Sequence, residues 1–203
     1  EAPLDRIDVV QPVLVSLAIA YAALLRSWGV EPDAVVGHSM GEVGAACIAG
    51  VLDIGQAMQV VCARSRLMRR VSGLGAMALV ELSMEEARQR LHGREDRLSV
   101  AVSNSPRSSV ISGEPGAVQA VMAELEREQI FCRLVKVDVA SHSPQMEPLA
   151  QELVAQLEGL SPSAAQCPLY STVRARRVEG SEMPAAYWAD NLRRPVLFSH
   201  TVE

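Results

Sequence analysis

The first third of the chain alternates between helical apolar patterns and one short apolar run. Residues 10–28 place apolar side chains at helical spacing and end at Gly29, which predicts a helix with a glycine at its C-terminal end. Residues 34–36 form a short apolar run typical of a buried strand, and residues 41–49 and 54–71 again show helical spacing. This order predicts an α/β unit.

The pattern changes in the middle of the chain. Residues 76–82 predict a strand, and a helix follows with Ser83 as N-cap and Glu86 at the capping-box position. Residues 98–103 and 108–112 predict two strands joined by turn residues, and a helix at 115–129 and a strand at 131–137 come next. The order βαββαβ predicts a small ferredoxin-like unit inserted into a larger one.

The last part of the chain returns to the larger unit. Residues 145–157 predict a helix, residues 169–173 a strand, and residues 187–198 a closing segment. The predicted organisation is the first part of a large α/β subdomain at 1–75, a ferredoxin-like small subdomain at 76–138, and the second part of the large subdomain at 139–203. The chain starts almost directly in a helical pattern, and its last residues follow an apolar segment with no evident terminator, so we expect a fragment cut at both ends.

The strand at 34–36 runs into the motif Gly-His-Ser-Met-Gly-Glu, residues 37–42, and then into a helical pattern. A Gly-x-Ser-x-Gly motif between a strand and a helix predicts a nucleophile elbow, with Ser39 held on a strained corner and its hydroxyl exposed. We expect Gly37 and Gly41 to be required because a side chain at either would crowd the strand and helix. A chance occurrence among 13 glycines is the alternative.

Composition narrows the function classes. The 203 residues are 49% hydrophobic and carry a net charge of −5. The basic residues are scattered except for the short run at 174–177, which is expected to be solvated, so no nucleic-acid partner is expected. The four cysteines lie far apart without metal-binding spacing, which predicts buried thiols in a reducing cytosol and no metal site. We find no signal peptide and judge no apolar stretch long enough to span a bilayer, so a cytoplasmic protein without a membrane partner is expected.

Five ordered segments together are more specific than any one motif: 37–42 (GHSMGE), 9–14 (VVQPVL), 62–68 (CARSRLM), 139–144 (VASHSP) and 187–196 (YWADNLRRPV). The chain resembles the acyltransferase domains of modular polyketide synthases and the related malonyl-CoA:acyl-carrier-protein transacylases over essentially its whole length. The resemblance implies an α/β-hydrolase-like large subdomain with a ferredoxin-like insert and an active site between them.

A serine hydroxyl needs a base, most often histidine. His38 is expected to point away from the nucleophile, His92 to be solvated, and His200 has no supporting pattern. The resemblance implies that His142 is the base in a Ser-His dyad, oriented by a main-chain carbonyl that Asn191 supplies. Asp138 is then expected to be a solvated residue at a strand end.

The resemblance also implies the residues that bind substrate. Arg64 aligns with the family's arginine, whose planar guanidinium binds the free carboxylate of a malonyl-type substrate, although periodicity cannot separate it from Arg66, Arg69 and Arg70. The main-chain N–H of Met40 would contribute to the oxyanion hole. In the family, the second donor of that hole comes from a loop near the start of the domain, and no such loop precedes Gln11 in this sequence. Gln11 itself is expected to hydrogen-bond in the pocket or to be a polar residue near a helix start.

The extender unit is predicted from residues 139–142. A Tyr-Ala-Ser-His quartet in the family accompanies methylmalonyl units, and His-Ala-Phe-His accompanies malonyl units. The small Ser141 favours methylmalonyl, whereas Val139 departs from the tyrosine and Met40 resembles the malonyl pattern. The balance favours methylmalonyl.

The resulting hypothesis is an acyltransferase that moves a malonyl-type unit from CoA to the phosphopantetheine thiol of an acyl carrier protein through an acyl-serine. The implied partners are acyl-CoA, the carrier protein and neighbouring synthase domains such as a ketosynthase, and no resident cofactor is needed. Two alternatives stay open: a serine acyl hydrolase of the patatin or thioesterase kind, and an inactive structural fragment of a synthase. Glu42 is expected only to complement the helix dipole.

Overall fold

The structure is a computed structural model that describes residues 6–203. Its α-helices are α1 (Ile7–Ser27), α2 (Gly41–Ile48), α3 (Ile54–Arg69), α4 (Met84–Leu91), α5 (Pro115–Arg127), α6 (Glu147–Gln156), α7 (Ala185–Arg193) and α8 (Phe198–Val202). Its strands are β1 (Val35–Val36), β2 (Ala76–Val80), β3 (Leu98–Ser105), β4 (Ser108–Gly113), β5 (Cys132–Leu134), β6 (Leu169–Ser171) and β7 (Arg176–Val178). Residues 1–5, part of the predicted first segment of the large subdomain, lie outside the described residues.

Three strands form the sheet that supports the nucleophile turn, in the order β1-β6-β7. The β1 and β6 strands are parallel, and β6 pairs antiparallel with β7. The helices α2, α3, α6 and α7 contribute apolar side chains to a common core, in which Trp188 and Leu52 are among the largest buried groups. The prediction of a buried strand at 34–36 was wrong in its burial, because Val35 is only partly buried and Val36 is 40% exposed. The short β1 strand is held instead by its parallel pairing with β6.

The second sheet has the order β3-β4-β2-β5 with antiparallel neighbours, which is the ferredoxin-like arrangement predicted from the element order. Side chains alternate along β2: Ala76, Ala78 and Val80 pack with α4 and α5, whereas Met77 faces a second cluster that includes Val196. One face of this four-stranded sheet, called the small sheet because it belongs to the predicted small subdomain, is therefore covered by α4 and α5. The other face meets the segment after α7.

The segment after α7 also joins the free edge of the small sheet. Val196 donates its main-chain N–H to the carbonyl of Ala101, and Ser103 donates to the carbonyl of Val196, both at 2.9 Å. Val102 and Val196 form a parallel bridge. The next residue, Leu197, donates its main-chain N–H to the carbonyl of Thr172, directly after β6, at 2.7 Å. The segment after α7 therefore connects the two sheets. The division at residues 75/76 and 138/139 stays a prediction.

Helix α1 corrects one expectation from the sequence. An 18-residue window of it has a mean hydropathy of 1.9, so it is long and apolar enough to cross a membrane by length and composition alone, because its charged residues lie near its two ends. In the structure it packs against α2 and α3. Its buried contact residue is Val15, while a row of apolar side chains stays exposed: Val13, Leu14, Leu17, Tyr21, Leu24 and Leu25.

The cysteines differ in part from the prediction. Cys47, Cys62, Cys132 and Cys167 are free thiols, but each is only partly buried. Within residues 6–203, no group of three or more His, Cys, Asp or Glu side chains is placed to hold a metal ion.

Candidate active site

The turn between β1 and α2 has the geometry of a nucleophile elbow. Ser39 has a φ of +55°, in the left-handed region that non-glycine residues seldom adopt. A Cβ at Gly37 would lie 2.2 Å from the main-chain nitrogen of Glu42, so that position requires glycine. The expectation for Gly41 was wrong, because a Cβ there would have no atom within 4 Å.

His142 reaches Ser39 from the loop that precedes α6. Its Nε2 lies 2.8 Å from the Ser39 hydroxyl oxygen, and its Nδ1 lies 2.8 Å from the carbonyl oxygen of Arg194. A carbonyl oxygen only accepts, so Nδ1 carries the proton and donates it, and Nε2 is left to accept from the serine hydroxyl. The orienting carbonyl therefore comes from Arg194, not from Asn191 as predicted, because the chain turns towards the imidazole only after α7 has ended.

The His142 backbone is held by hydrogen bonds to residues of β3 and α7. Its φ is +59°. The Ser99 hydroxyl on β3 donates to the His142 carbonyl oxygen at 2.8 Å, and the His142 N–H donates to the carbonyl of Leu192 at 3.2 Å. These contacts stabilise a conformation that would otherwise be unfavourable.

Burial, and then the charge of Arg64, lowers the pKa of His142 to about 3. The imidazole is thus neutral across the physiological pH range. A neutral imidazole with a free Nε2 lone pair is the form that can take a proton from a hydroxyl group.

Arg64 is separated by burial from the other arginines in α3 and at its C-terminal end. Its exposed fraction is 2%, whereas Arg66, Arg69 and Arg70 are exposed. Its Nη2 donates to the Ser39 hydroxyl oxygen at 3.0 Å, and its Nη1 donates to Oδ1 of Asn191. Burial lowers the pKa of Arg64 to about 10 against the charge of Glu42, so the guanidinium remains protonated at neutral pH.

Asn191 belongs to the site through its side chain, which the sequence did not predict. Its Nδ2 donates to the Ser39 carbonyl oxygen at 3.1 Å and to a carboxylate oxygen of Glu42 at 2.8 Å. Glu42 is fully buried and also accepts from Tyr187 and Thr172. Burial raises the pKa of Glu42, and these hydrogen bonds oppose that rise. A first-turn glutamate alone indicates only a helix-dipole role, so the sequence carried no signal for this cluster.

The remaining predicted residues differ in their distance from the reacting groups. Among the described residues, no hydrogen bond engages the main-chain N–H of Met40, which leaves that donor free. Ser141 is buried beside His142, whereas the Val139 side chain belongs to the hydrophobic core that also contains Leu169 of β6. Gln11 donates from Nε2 to the Met68 sulfur at 3.7 Å and makes no bond to Ser39.

The other candidates lie outside the site. Nε2 of His38 lies 3.0 Å from Oδ1 of Asn104, away from the Ser39 hydroxyl. His92 is exposed, and Asp138 is an exposed residue that accepts from Ser72 and does not contact the imidazole. These placements agree with the sequence-based expectations.

Comparisons with known proteins give the family. The profile described as the acyl transferase domain matches residues 1–203. The chain is 49% identical over 199 residues to erythronolide synthase EryA2 of Saccharopolyspora erythraea, a match covering 98% of this chain and 6% of that protein. It is 46% identical to the spectinabilin polyketide synthase protein NorC of Streptomyces orinoci, over 99% of this chain and 9% of that protein.

Solved structures agree with these relatives. The acyltransferase domain from module 8 of the salinomycin polyketide synthase superposes with a TM-score of 0.96 at 40% identity, covering 98% of this chain and 47% of that one. A malonyl CoA-acyl carrier protein transacylase from Burkholderia pseudomallei superposes with a TM-score of 0.88 at 28% identity, covering 98% and 69%. The chain thus spans only a small part of the synthases and about half of the salinomycin domain. On the family match over its full length, this chain belongs to the acyl transferase domains of modular polyketide synthases.

Proposed function

We propose that this acyltransferase transfers a malonyl-type extender unit from CoA to the phosphopantetheine thiol of an acyl carrier protein, through an ester on Ser39. The observation that carries the proposal is the convergence of three groups. The Ser39 hydroxyl oxygen lies 2.8 Å from Nε2 of neutral His142 and 3.0 Å from Nη2 of charged Arg64. A base and a cation thus meet at one nucleophile.

In the first half-reaction, Nε2 of His142 takes the hydroxyl proton while Oγ of Ser39 attacks the thioester carbon. The oxyanion that forms is stabilised by the free main-chain N–H of Met40. The carbon–sulfur bond then breaks, and the CoA sulfur takes the proton from Nε2. The proton passes only between Ser39, Nε2 of His142 and the CoA sulfur, because Nδ1 stays protonated and hydrogen-bonded to the Arg194 carbonyl oxygen.

Arg64 supports the assignment of the substrate class. Its Nη1 is occupied by Asn191, while Nε is buried and has no hydrogen-bond partner within residues 6–203. Nε and Nη2 together form the edge of the guanidinium that binds a carboxylate with two parallel hydrogen bonds. An acyl group without a distal carboxylate would leave the buried donor at Nε unpaired, which disfavours acetyl and fatty acyl groups.

In the second half-reaction, the carrier thiol gives its proton to Nε2 and its sulfur attacks the ester carbon. The carbon–oxygen bond to Ser39 breaks, and the serine oxygen recovers the proton. The proposed partners are therefore acyl-CoA, an acyl carrier protein and neighbouring domains such as a ketosynthase in a longer cytoplasmic polypeptide. The reaction so written uses no resident cofactor, and the four free thiols suit a reducing compartment.

Within the malonyl class we place methylmalonyl ahead of malonyl. Ser141 is small and lies beside His142, which leaves room for an α-methyl group. Val139 stands where the family's methylmalonyl quartet has tyrosine. Because Val139 is buried in the core, we infer that this difference affects substrate choice through packing and not through direct contact with the substrate.

The test is the intact-protein mass after incubation with equimolar malonyl-CoA and methylmalonyl-CoA. We expect the protein mass to increase by one acyl group, with more methylmalonyl-enzyme than malonyl-enzyme. The increase should be absent in Ser39→Ala. Addition of carrier protein should move the label to its thiol. Release of free acid at the same rate without carrier protein would favour a hydrolase, and no mass gain in a cooperatively melting chain would favour an inactive fragment.

A further inference from the structure

Glu42 is a fully buried carboxylate that the proposed chemistry does not use directly. Both of its oxygens accept hydrogen bonds. Oε1 accepts from the main-chain N–H of Thr172 and lies 2.8 Å from the Thr172 hydroxyl. Oε2 accepts from the Tyr187 hydroxyl at 2.7 Å and from Nδ2 of Asn191 at 2.8 Å.

Two of these donors cannot act as acceptors. The main-chain N–H of Thr172 lies at one oxygen and the amide N–H of Asn191 at the other. Glutamine at position 42 would place its own amide N–H against one of them. Since the main chain cannot turn around and a side-chain amide can, the amide of Asn191 would be the group to give way.

The orientation of Asn191 determines what Arg64 contacts. Both hydrogens of Nδ2 are used, one by Glu42 and one by the Ser39 carbonyl oxygen. Oδ1 is therefore the atom that faces Arg64 and accepts from Nη1. A reversed amide would set N–H groups against the guanidinium, which has five donors and no acceptor.

We propose that Glu42 is a positioning residue for carboxylate recognition, which holds Asn191 so that Arg64 keeps its Nε–Nη2 edge turned towards the substrate. The inference rests on the proposed function and adds to it the element that selects one edge of the guanidinium. The negative charge of Glu42 also acts on Arg64 across Asn191 and favours its protonated form within the buried site.

The experiment is calorimetric titration of the whole chain with malonate and, separately, with acetamide, which has no carboxylate. We expect Glu42→Gln to weaken malonate binding by roughly tenfold or more, the effect of losing one well-aligned hydrogen bond to a charged group, and to leave the weak acetamide response unchanged. In turnover, KM for malonyl-CoA should rise more than kcat falls. Malonate affinity within twofold of the wild type would overturn the proposal.

Tyr187→Phe is the matched control. It removes a donor from the same Oε2 of Glu42 but leaves the bond to Asn191, so we expect a lower melting temperature with malonate affinity within about twofold. Equal losses of malonate affinity in Tyr187→Phe and Glu42→Gln would reduce Glu42 to a stabilising role and overturn the proposal. If Glu42→Gln does not fold, Asn191→Ala tests the same connection, and unchanged malonate binding in that variant overturns it.

The outcomes separate this inference from the proposed function. Malonate binding by the wild type that persists in Glu42→Gln contradicts only the positioning role. Absence of malonate binding by the wild type contradicts carboxylate recognition itself and with it this inference, while acylation of Ser39 is still judged by the mass measurement.

Discussion

His142 and Arg64 both lie beside the Ser39 hydroxyl, and burial leaves them with different charges at neutral pH. Burial lowers the pKa of both His142 and Arg64, to about 3 and about 10. Because neutral pH lies between these values, the imidazole is uncharged and the guanidinium is charged. The same desolvation thus leaves a neutral imidazole and a charged guanidinium at adjacent positions, the pair that the proposed mechanism uses as base and as carboxylate-binding cation.

Arg64→Ala should weaken acylation by malonyl-CoA by roughly 10- to 100-fold, because hydrogen bonds to its charge are lost. It should also raise the relative rate with acetyl-CoA, since the unpaired charge disappears. The measurement is the ratio of acyl-enzyme formed from the two thioesters. Arg66→Ala, two residues away and exposed on the same helix, should leave this ratio unchanged, and an unchanged ratio in Arg64→Ala would contradict the assignment.

Stability should depend on pH through His142. Its pKa is lower in the folded chain than the 6.5 of the unfolded one, so the unfolded chain binds more protons between pH 6.5 and about 3. The free energy of unfolding therefore decreases as pH falls through this window, and His142 causes no further change in it above pH 6.5. From pH 8 to pH 5 the contribution is a loss of about 2 kcal/mol.

Urea unfolding at pH 8 and pH 5 measures this contribution. The wild type should lose about 2 kcal/mol more than His142→Gln over the same range. Equal losses in the two proteins would show that the buried imidazole is not the group responsible.

At the scale of single elements, local signals succeeded where they were strong. The capping box at Ser83 and Glu86 starts α4 as predicted, and the positive φ of Gly29 and Gly50 occurs at the predicted helix ends. The predicted strand at 131–137 shortens to β5, and β7 was missed because its arginines suggested a solvated run. An edge strand with exposed side chains lacks the apolar alternation on which strand prediction depends.

The two glycines of the elbow provide a test of the turn itself. Gly37→Ala forces a Cβ into the backbone at Glu42, so we expect a loss of roughly 1–3 kcal/mol in unfolding free energy and little acylation. Gly41→Ala has open space in the first turn of α2 and should be neutral or stabilising by up to about 1 kcal/mol. Chemical denaturation measures both, and equal destabilisation would contradict the geometry of the turn.

At the scale of the whole molecule, the candidate active site depends on contacts between the four-stranded sheet, the loop that carries His142 and the segment after α7. The small sheet supplies the Ser99 hydroxyl to the His142 carbonyl oxygen, and the segment after α7 supplies both the Arg194 carbonyl and the Val196 bridge. The imidazole is therefore held in place only when both parts of the fold are assembled.

Ser99→Ala tests this dependence. Loss of its hydrogen bond should lower the acylation rate severalfold through displacement of the imidazole, with a stability loss of about 1 kcal/mol. Ser109→Ala is the control, because that buried hydroxyl on the neighbouring strand has no hydrogen-bond partner within residues 6–203. We expect its acylation rate to match the wild type, and equal rates in Ser99→Ala would rule out the positioning contact.

The sequence by itself determined the features that depend on neighbours along the chain: the strained turn at Ser39, the helix caps, and the βαββαβ order of the small unit. The tertiary structure decided which of several chemically equal residues reach the nucleophile. Ser39 and His142 are 103 residues apart, and only packing shows that Arg64 faces inward while Arg66 does not, or that Arg194 supplies the carbonyl. The physical reason is that local signals follow from backbone sterics and hydrogen bonds between near neighbours. Burial, pKa and contacts between distant side chains exist only after the two sheets have met.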